Sequence, residues 1–238
     1  MSTHYNPKIV TDGIMLALDA ANPKSYPGSG TTWYDLSGKG NNGTLVNGPT
    51  ISNQLAVFDG IDDCVNLPDI TDIRLSDVSF EFIFKLDNIS SDQELLCKGS
   101  HNRYQPAIIW FDSTVGGGDL GSGNVNCISV LSYDGSTEHW ISTNSNTIEA
   151  NKYYHLVVVL EPSNNKKYIY LNGILSQSNT KTWNGIRDIN NNIRLCSVGI
   201  STAKLLDGNM NLFKTYNRAL TANEVAQNFN ATRGRYGI

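Results

Sequence analysis

The stretch "WYDLSGKGNNGTLVNGP", Trp33 to Pro49, gathers residue types that do chemistry in tight loops. Asp35, Ser37, Asn41 and Asn42 offer carboxylate, hydroxyl and amide oxygens close together. Calcium takes roughly six to eight such oxygens. Asp59, Asp62 and Asp63 in "FDGIDD" and Asp207 in "LDGN" offer more. The same residue types also cap their own backbone in Asx turns. A structural calcium and a plain turn are therefore both open, with Asp35, Asn41 and Asn42 as the metal candidates. A phosphate nest is not supported, because no helix follows the glycines to point its N-terminus at an anion.

Catalytic patterns are absent. A glycosidase works with paired carboxylates flanking the scissile bond. Here Glu81 stands alone, Glu94, Glu149 and Glu161 are isolated, and Glu138 has no second acid nearby. The histidines are His4, His101, His139 and His155, and no Gly-x-Ser-x-Gly elbow accompanies them. His155, inside "YYHLVVVL", reads as a structural strand residue. The expectation is a protein that is not an enzyme. Sugar recognition is the alternative chemistry, because a pyranose face stacks on an aromatic ring. Trp33, Tyr34 and Trp183 flank polar turn residues and are the stacking candidates. Trp110 and Trp140 lie in strand runs and read as core.

Strands must position these residues. "VSFEFIFKLD" alternates, with Phe80, Phe82 and Phe84 on one face and Ser79, Glu81, Ile83 and Lys85 on the other. "YYHLVVVLEP" is a longer apolar run that fits a central strand covered on both faces. Asn172-Gly173 marks a hairpin turn. "STVGGGDLGSGN", Ser113 to Asn124, reads as a loop. One helix stands out in "LTANEVAQNFNATRG": Thr221 is an N-cap and Glu224 completes a capping box. Leu220, Val225 and Phe229 form its apolar side, and Gly234 suits a stop. Many strands with one terminal helix predict an all-β, two-sheet antiparallel sandwich.

Composition narrows the partners. The 238 residues carry a net charge of -4 with 17% charged residues, and no basic stripe points to nucleic acid. No run reaches the roughly 20 apolar residues of a membrane span. The start "MSTHYNPKIV" lacks a basic-then-apolar secretory signal, so synthesis in a cytoplasm is expected. Cys64, Cys97, Cys127 and Cys196 show no metal spacing and read as reduced, buried apolar residues.

Four longer stretches carry a family resemblance. "LALDAANPKSYPGSGTTWYDLSGKGNNGTLVNGP", "LAVFDGIDDCVNLP", "YYHLVVVLEPSNNKKYIYLNGIL" and "LDGNMNLFKTYNRALTANEVAQNF" resemble the concanavalin A-like, laminin-G and pentraxin-like jelly-roll domains. The resemblance implies a jelly-roll domain over residues 13–230, including a helix at about 221–230. Residues 1–12 then form an N-terminal arm and 231–238 a C-terminal tail, both outside the core pattern. One of them is expected to dock on a larger particle. Pentraxin-like members bind calcium and ligand through an Asp-Asn pair; the matching stretch here is "GSHNRYQ". His101-Asn102 replaces that pair, which counts against the double-calcium site. His101, Asn102, Arg103 and Tyr104 join Trp33, Tyr34 and Trp183 as carbohydrate-binding candidates. The opening loop and the "NATRGRYGI" end are also similar to bacteriophage virion proteins. That likeness implies a decoration or fibre protein on the virion, touching other virion proteins and surface polysaccharide. A homo-oligomer is compatible with that role, although no heptad run marks one. The alternatives are a purely architectural component without glycan binding and, third, a glycan-active enzyme.

Overall fold

The strongest alternating segment becomes strand β7 (Val78–Leu86) at the centre of the first of two antiparallel sheets. The computed structural model describes residues 7–70, 76–99, 107–113, 123–187, 192–197 and 204–238. The first sheet runs β14 (Ile174–Thr180), β13 (Lys166–Leu171), β12 (Tyr153–Glu161), β7, β16 (Asp207–Tyr216), β5 (Leu55–Asp59) and β4 (Thr50–Ser52). Strand β16 pairs with β7 on one edge. Its other edge is shared, with β5 against Asp207–Asn209 and β1 (Ile14–Asp19) against Leu212–Tyr216. The strands pack tightly where that exchange begins. Gly208 has φ +148°, and a Cβ there would lie 2.1 Å from the Lys85 carbonyl oxygen, so only glycine fits.

The second sheet runs β11 (Glu138–Ser142), β10 (Cys127–Tyr133), β9 (Ala107–Asp112), β8 (Gln93–Lys98), β15 (Ile193–Leu195), β6 (Cys64–Leu67), β3 (Gly43–Val46) and β2 (Thr32–Trp33). The core lies between the sheets. Phe80, Phe82 and Phe84 enter it from β7, and Phe82 meets Phe213 at 5.1 Å between ring centroids. Ile109, Phe111, Ile128 and Val130 answer from the second sheet. All four cysteines are buried. The architecture is the two-sheet jelly-roll sandwich that the strand pattern predicts.

Strand β12 is buried over Tyr154–Leu160, on both faces, as its apolar run requires. The outer face is covered by helix α1 (Ala222–Thr232). Thr221 and Glu224 form the capping box, and Leu220 and Val225 are buried against Val157, Val159 and Tyr216. At the centre of this covered face sits Glu81, fully buried. Its Oε1 accepts from Lys214 Nζ at 2.9 Å and lies 3.2 Å from His155 Nε2. Its Oε2 accepts from Asn228 Nδ2 at 2.7 Å. The Tyr216 hydroxyl stands 3.1 Å from Oε2 and 3.3 Å from the Val10 carbonyl, sharing one proton between two acceptors. Burial by itself would raise the Glu81 carboxyl. The Lys214 ammonium and the hydrogen bonds reverse that and hold it at about 2.

The arm and tail depart from the expectation that they lie outside the core pattern. Val10 is buried, and its N–H donates to Asn228 Oδ1 at 2.8 Å. Gln227 Nε2 donates to the Lys8 carbonyl at 2.6 Å. The described part of the arm thus docks on its own domain, because the helix offers it a buried amide. In the tail, Thr232 is buried and Tyr236 packs on Tyr153.

Replacing Glu81→Gln leaves the Lys214 ammonium buried without its counter-charge. The expected loss is about 3–5 kcal/mol in urea denaturation at pH 7. The folded carboxyl titrates below its unfolded value, so its contribution is present above about 4.5 and disappears as pH falls towards about 2. The gap between variant and wild type should shrink over that window, and an acid-independent gap would contradict the network's role.

Candidate functional site

In the Trp33–Pro49 loop the Asp35 carboxylate is fully engaged by protein donors. Oδ1 accepts from Ala17 N–H at 2.9 Å and Ser37 N–H at 2.8 Å. Oδ2 accepts from Ser37 Oγ at 2.7 Å and Asn41 N–H at 3.0 Å. Asn42 Oδ1 accepts from Asp35 N–H at 2.9 Å, and Asn41 Nδ2 donates to the Met15 carbonyl at 2.8 Å. The Asp35 oxygens and Asn42 Oδ1 serve backbone and side-chain donors, which is the arrangement of the self-capping turn. The calcium expectation at Asp35, Asn41 and Asn42 is put to the chelator experiment below. The loop covers the edge of β1 that faces away from β16, through Met15 and Ala17.

The stacking candidates separate. Trp33 is 0% exposed and belongs to the core, so it cannot meet a sugar. Trp183 is 3% exposed, with the Lys167 ammonium 4.4 Å from its ring centroid, so its face is taken. Both expectations are corrected: turn residues surround these indoles in sequence, yet the sandwich encloses them. Tyr34 is 44% exposed. His101, Asn102, Arg103 and Tyr104 lie outside the described residues. Trp110 is buried as expected, and it meets the half-buried Trp140 edge-on at 5.6 Å.

Asp59, Asp62 and Asp63 bring carboxylate oxygens within 4.8 Å of one another. Burial first, and then the Asp59 and Asp62 charges, raise the Asp63 carboxyl. Asp59 Oδ1 already accepts from Ile61 N–H at 2.8 Å, and Asp63 Oδ2 from Asp59 N–H at 3.2 Å. Such clusters are common at protein surfaces without any cation. Glu94 is 2% exposed, and burial pushes its carboxyl up to about 8. Glu81 and Glu94 carry strongly shifted carboxyls, but both are enclosed and neither can reach a substrate.

Trp183 borders one groove among the described residues, beside Asp77, Ser163 and Arg218; the residues that converge on another were not singled out from sequence. A groove of about 590 Å³ opens where β12 begins. Tyr153 and Tyr236 meet in it with ring centroids 5.4 Å apart at 45°. Thr147, Asn151 and Asn172 add hydroxyl and amide groups, and Glu149 and Lys152 add charges. Tyr153 projects from the outer face of the first sheet, opposite Lys85 in register. Asn172, at the hairpin tip with φ 50°, is locked to β12: its Oδ1 accepts from His155 N–H at 3.0 Å and its N–H donates to the His155 carbonyl at 2.8 Å. Asn151, also left-handed at φ 61°, donates its N–H to the Leu86 carbonyl at 2.7 Å. The charges are internally matched: Lys152 pairs with Glu149 at 2.7 Å, and Lys85 pairs with Asp87. What remains for a ligand is ring faces and amide groups, because the Thr147 hydroxyl donates to the Asn144 carbonyl at 3.1 Å and lies 2.7 Å from Thr143 Oγ1. The sequence signal was the polar "EANKYYH" approach to the strand, in which alternation places Tyr153 on the same face as His155.

A lectin-like sandwich with a shallow aromatic and amide groove is the class this describes. The model of the concanavalin A-like lectin/glucanases superfamily, in its Laminin_G_3 form, matches residues 59–226, and the chain belongs to that family. A search of curated proteins finds no match. Solved structures share the fold at low identity. The receptor-binding domain of botulinum neurotoxin C/D mosaic serotype aligns with TM-score 0.65 and 14% identity, over 94% of this chain and 52% of that one. The binding domain of Paraclostridial Mosquitocidal Protein 1 gives 0.65 and 19%, over 93% and 52%. Trypanosoma rangeli sialidase, in complex with the inhibitor DANA, gives 0.64 and 14%, over 95% and 35%. The chain spans about half the length of the two binding domains, or less of the sialidase chain.

Two measurements test the site's surroundings. Asp35→Ala should cost about 1–3 kcal/mol by leaving its donors unpaired, and EDTA should leave the wild-type Tm unchanged; a chelator-induced drop would favour the calcium reading. Lys167 is 1% exposed, its ammonium has no hydrogen-bond partner among the described residues, and burial pulls it down to about 7. The unfolded chain therefore holds a proton between about 7 and 10.5 that the folded chain lacks, and stability rises with pH across that window. Lys167→Met should raise the Tm, and more at pH 6 than at pH 9. An equal gain at both would show that the ammonium is not the cause.

Proposed function

We propose that this protein is a non-enzymatic carbohydrate-binding domain that takes neutral or charge-balanced glycans in the Tyr153–Tyr236 groove. The observation that carries this reading is the partly exposed tyrosine pair set among amides with matched charges. Sugar C–H faces pack on phenol rings, while amides exchange hydrogen bonds with sugar hydroxyls. Glu149 is the one carboxylate side chain among the described lining residues, and it is paired with Lys152. A glycosidase would need a second carboxylate facing it. A fold neighbour supports carbohydrate as the kind of ligand, without bearing on its charge: botulinum neurotoxin type C, whose cell entry is dependent upon interaction with two ganglioside molecules, aligns at TM-score 0.67 and 12% identity.

The reading places the domain on a bacteriophage virion, as a decoration or fibre protein that contacts other virion proteins and surface polysaccharide. It is supported by the likeness of the "DLSGKGNNGTL" opening and the "NATRGRYGI" end to virion proteins. Mass spectrometry of purified particles would test that placement, and absence of the chain from them would refute it.

A glycan array read with and without EDTA tests the ligand. Wild-type protein should bind a subset of neutral glycans in both conditions, because no group of carboxylates lines the groove. Tyr153→Ala and Tyr236→Ala should each weaken the best-bound glycan by about ten-fold or more, as expected for central aromatic anchors. Undiminished binding by both variants would move the site elsewhere. No binding by the wild type in either condition would favour a purely architectural role.

A further inference from the structure

The groove has one wall that belongs to the sandwich and one that does not. Tyr153 is a strand residue, held in register between β7 and β13. Tyr236 follows the helix and a single 3-10 turn, Arg233–Arg235. The local hydrogen bonds of that turn run back to Arg233, whose carbonyl accepts from Tyr236 N–H at 3.1 Å and from Ile238 N–H at 3.3 Å. They shape the turn without tying it to the sheet. The Tyr236 hydroxyl is buried without a hydrogen-bond partner among the described residues, so packing alone, and no hydrogen bond, holds the far end of the ring.

Arg235 supplies the missing tie. Its Nη1 lies 3.0 Å from Asp19 Oδ1 and 2.9 Å from Asp19 Oδ2, at the end of β1. Asp19 is itself held, because Oδ1 accepts from Ala21 N–H at 3.0 Å and the Asp19 N–H donates to Ser25 Oγ at 3.1 Å. The same guanidinium lies over the Tyr236 ring, 5.5 Å from its centroid, while Tyr153 packs on that ring at 5.4 Å. One side chain therefore anchors the turn to the sandwich and supports the ring that the turn carries. An arginine suits both tasks, because its planar fork pairs with a carboxylate and stacks on an aromatic face.

We infer that Arg235 is a positioning residue for the ligand groove, acting through Tyr236: the Arg235–Asp19 pair holds the outer wall in place, and breaking it leaves Tyr153 as half a site. This rests on the carbohydrate reading of the groove. It differs from that reading in assigning the wall's order to an ion pair rather than to the fold. The pair is partly exposed, with side-chain exposures of 36% and 17%, so its loss leaves the domain folded.

The test uses the full chain and the neutral glycan that the wild type binds best on the array. Arg235→Gln should weaken its Kd about five-fold with the Tm nearly unchanged. In the Tyr236→Ala background the same substitution should have no further effect, because the residue it positions is gone. A five-fold loss in that background as well would overturn the inference while leaving the groove assignment standing. So would wild-type affinity in Arg235→Gln. A second readout needs no ligand: nitration of Tyr236 by tetranitromethane, mapped by mass spectrometry. It should speed up several-fold in Arg235→Gln, since the released ring becomes accessible, and Arg235→Gln nitrating no faster than wild type would overturn the pin even if the array shows no glycan bound.

Discussion

A carboxylate buried at the centre of a sheet must be compensated or it will not stay ionised there. Glu81 is that carboxylate, and much of the outer face of the first sheet follows from it. Lys214 and Tyr216 come from β16, His155 from β12 and Asn228 from the helix. Three segments distant in sequence are thus brought to one residue of β7, and the arm joins them through Val10. The helix cannot rotate freely under this constraint. Asn228 must face inward, which sets Phe229 against the His155 ring at 5.6 Å and leaves Gly173 room for no side chain, a Cβ there lying 2.8 Å from the Phe229 ring. Buried ion pairs add less to stability than their geometry suggests, because desolvation offsets the attraction. Here the network ties the helix to the sheet through directional bonds, Asn228 meeting Glu81, Tyr216 and Val10, in addition to the apolar contacts of Leu220 and Val225.

That network also explains which parts of the architecture were legible in sequence. Period-two alternation in β7 and the long apolar run of β12 report burial directly, since each face repeats. The capping box of the helix is a local signal and was readable for the same reason. Asn228 was not, because a polar residue in an amphipathic helix reads as solvent-facing unless its buried partner is known. Glu81 read as an isolated acid, and its partners lie 74 to 147 positions away. The arm read as surplus because Val10 is a single apolar residue with no periodicity around it.

The aromatic residues teach a similar lesson about the site. Trp33 sits among turn residues, but β2 pairs Trp33 with Gly43, and a Cβ at Gly43 would come within 2.8 Å of Val65. Strand β3, which carries Gly43, lies close against β6, and Trp33 beside it on β2 belongs to the core. Trp183 is enclosed by a lysine that burial has made unusually easy to deprotonate. Local composition registers the turns around these residues and carries no information on what covers them. Tyr153 shows the converse. It opens one of the most buried strands in the chain, yet strand ends lie at the rim of a sandwich, where the second layer stops. The "DLSGKGNN" loop belongs to the same pattern: its acidic and amide groups look like metal ligands, but an edge strand has unpaired N–H and C=O groups that must also be met.

The groove and the buried network are connected by one element. Helix α1 is docked by Asn228 at its inner face, and the chain leaving its C-terminus carries Arg235 and Tyr236 to the rim. The position of the outer wall therefore has two determinants of different strength. The first is a fully enclosed set of hydrogen bonds to Glu81, which water and salt do not screen. The second is a partly exposed ion pair with Asp19, which they do. A rigid docking point followed by a weakly held extension concentrates motion in the extension, at the residue that would meet a ligand. Binding loops are drawn from the less stable parts of a fold for this reason. In this chain the division falls between Thr232, buried and bonded to Asn228, and Arg233, where the 3-10 turn begins.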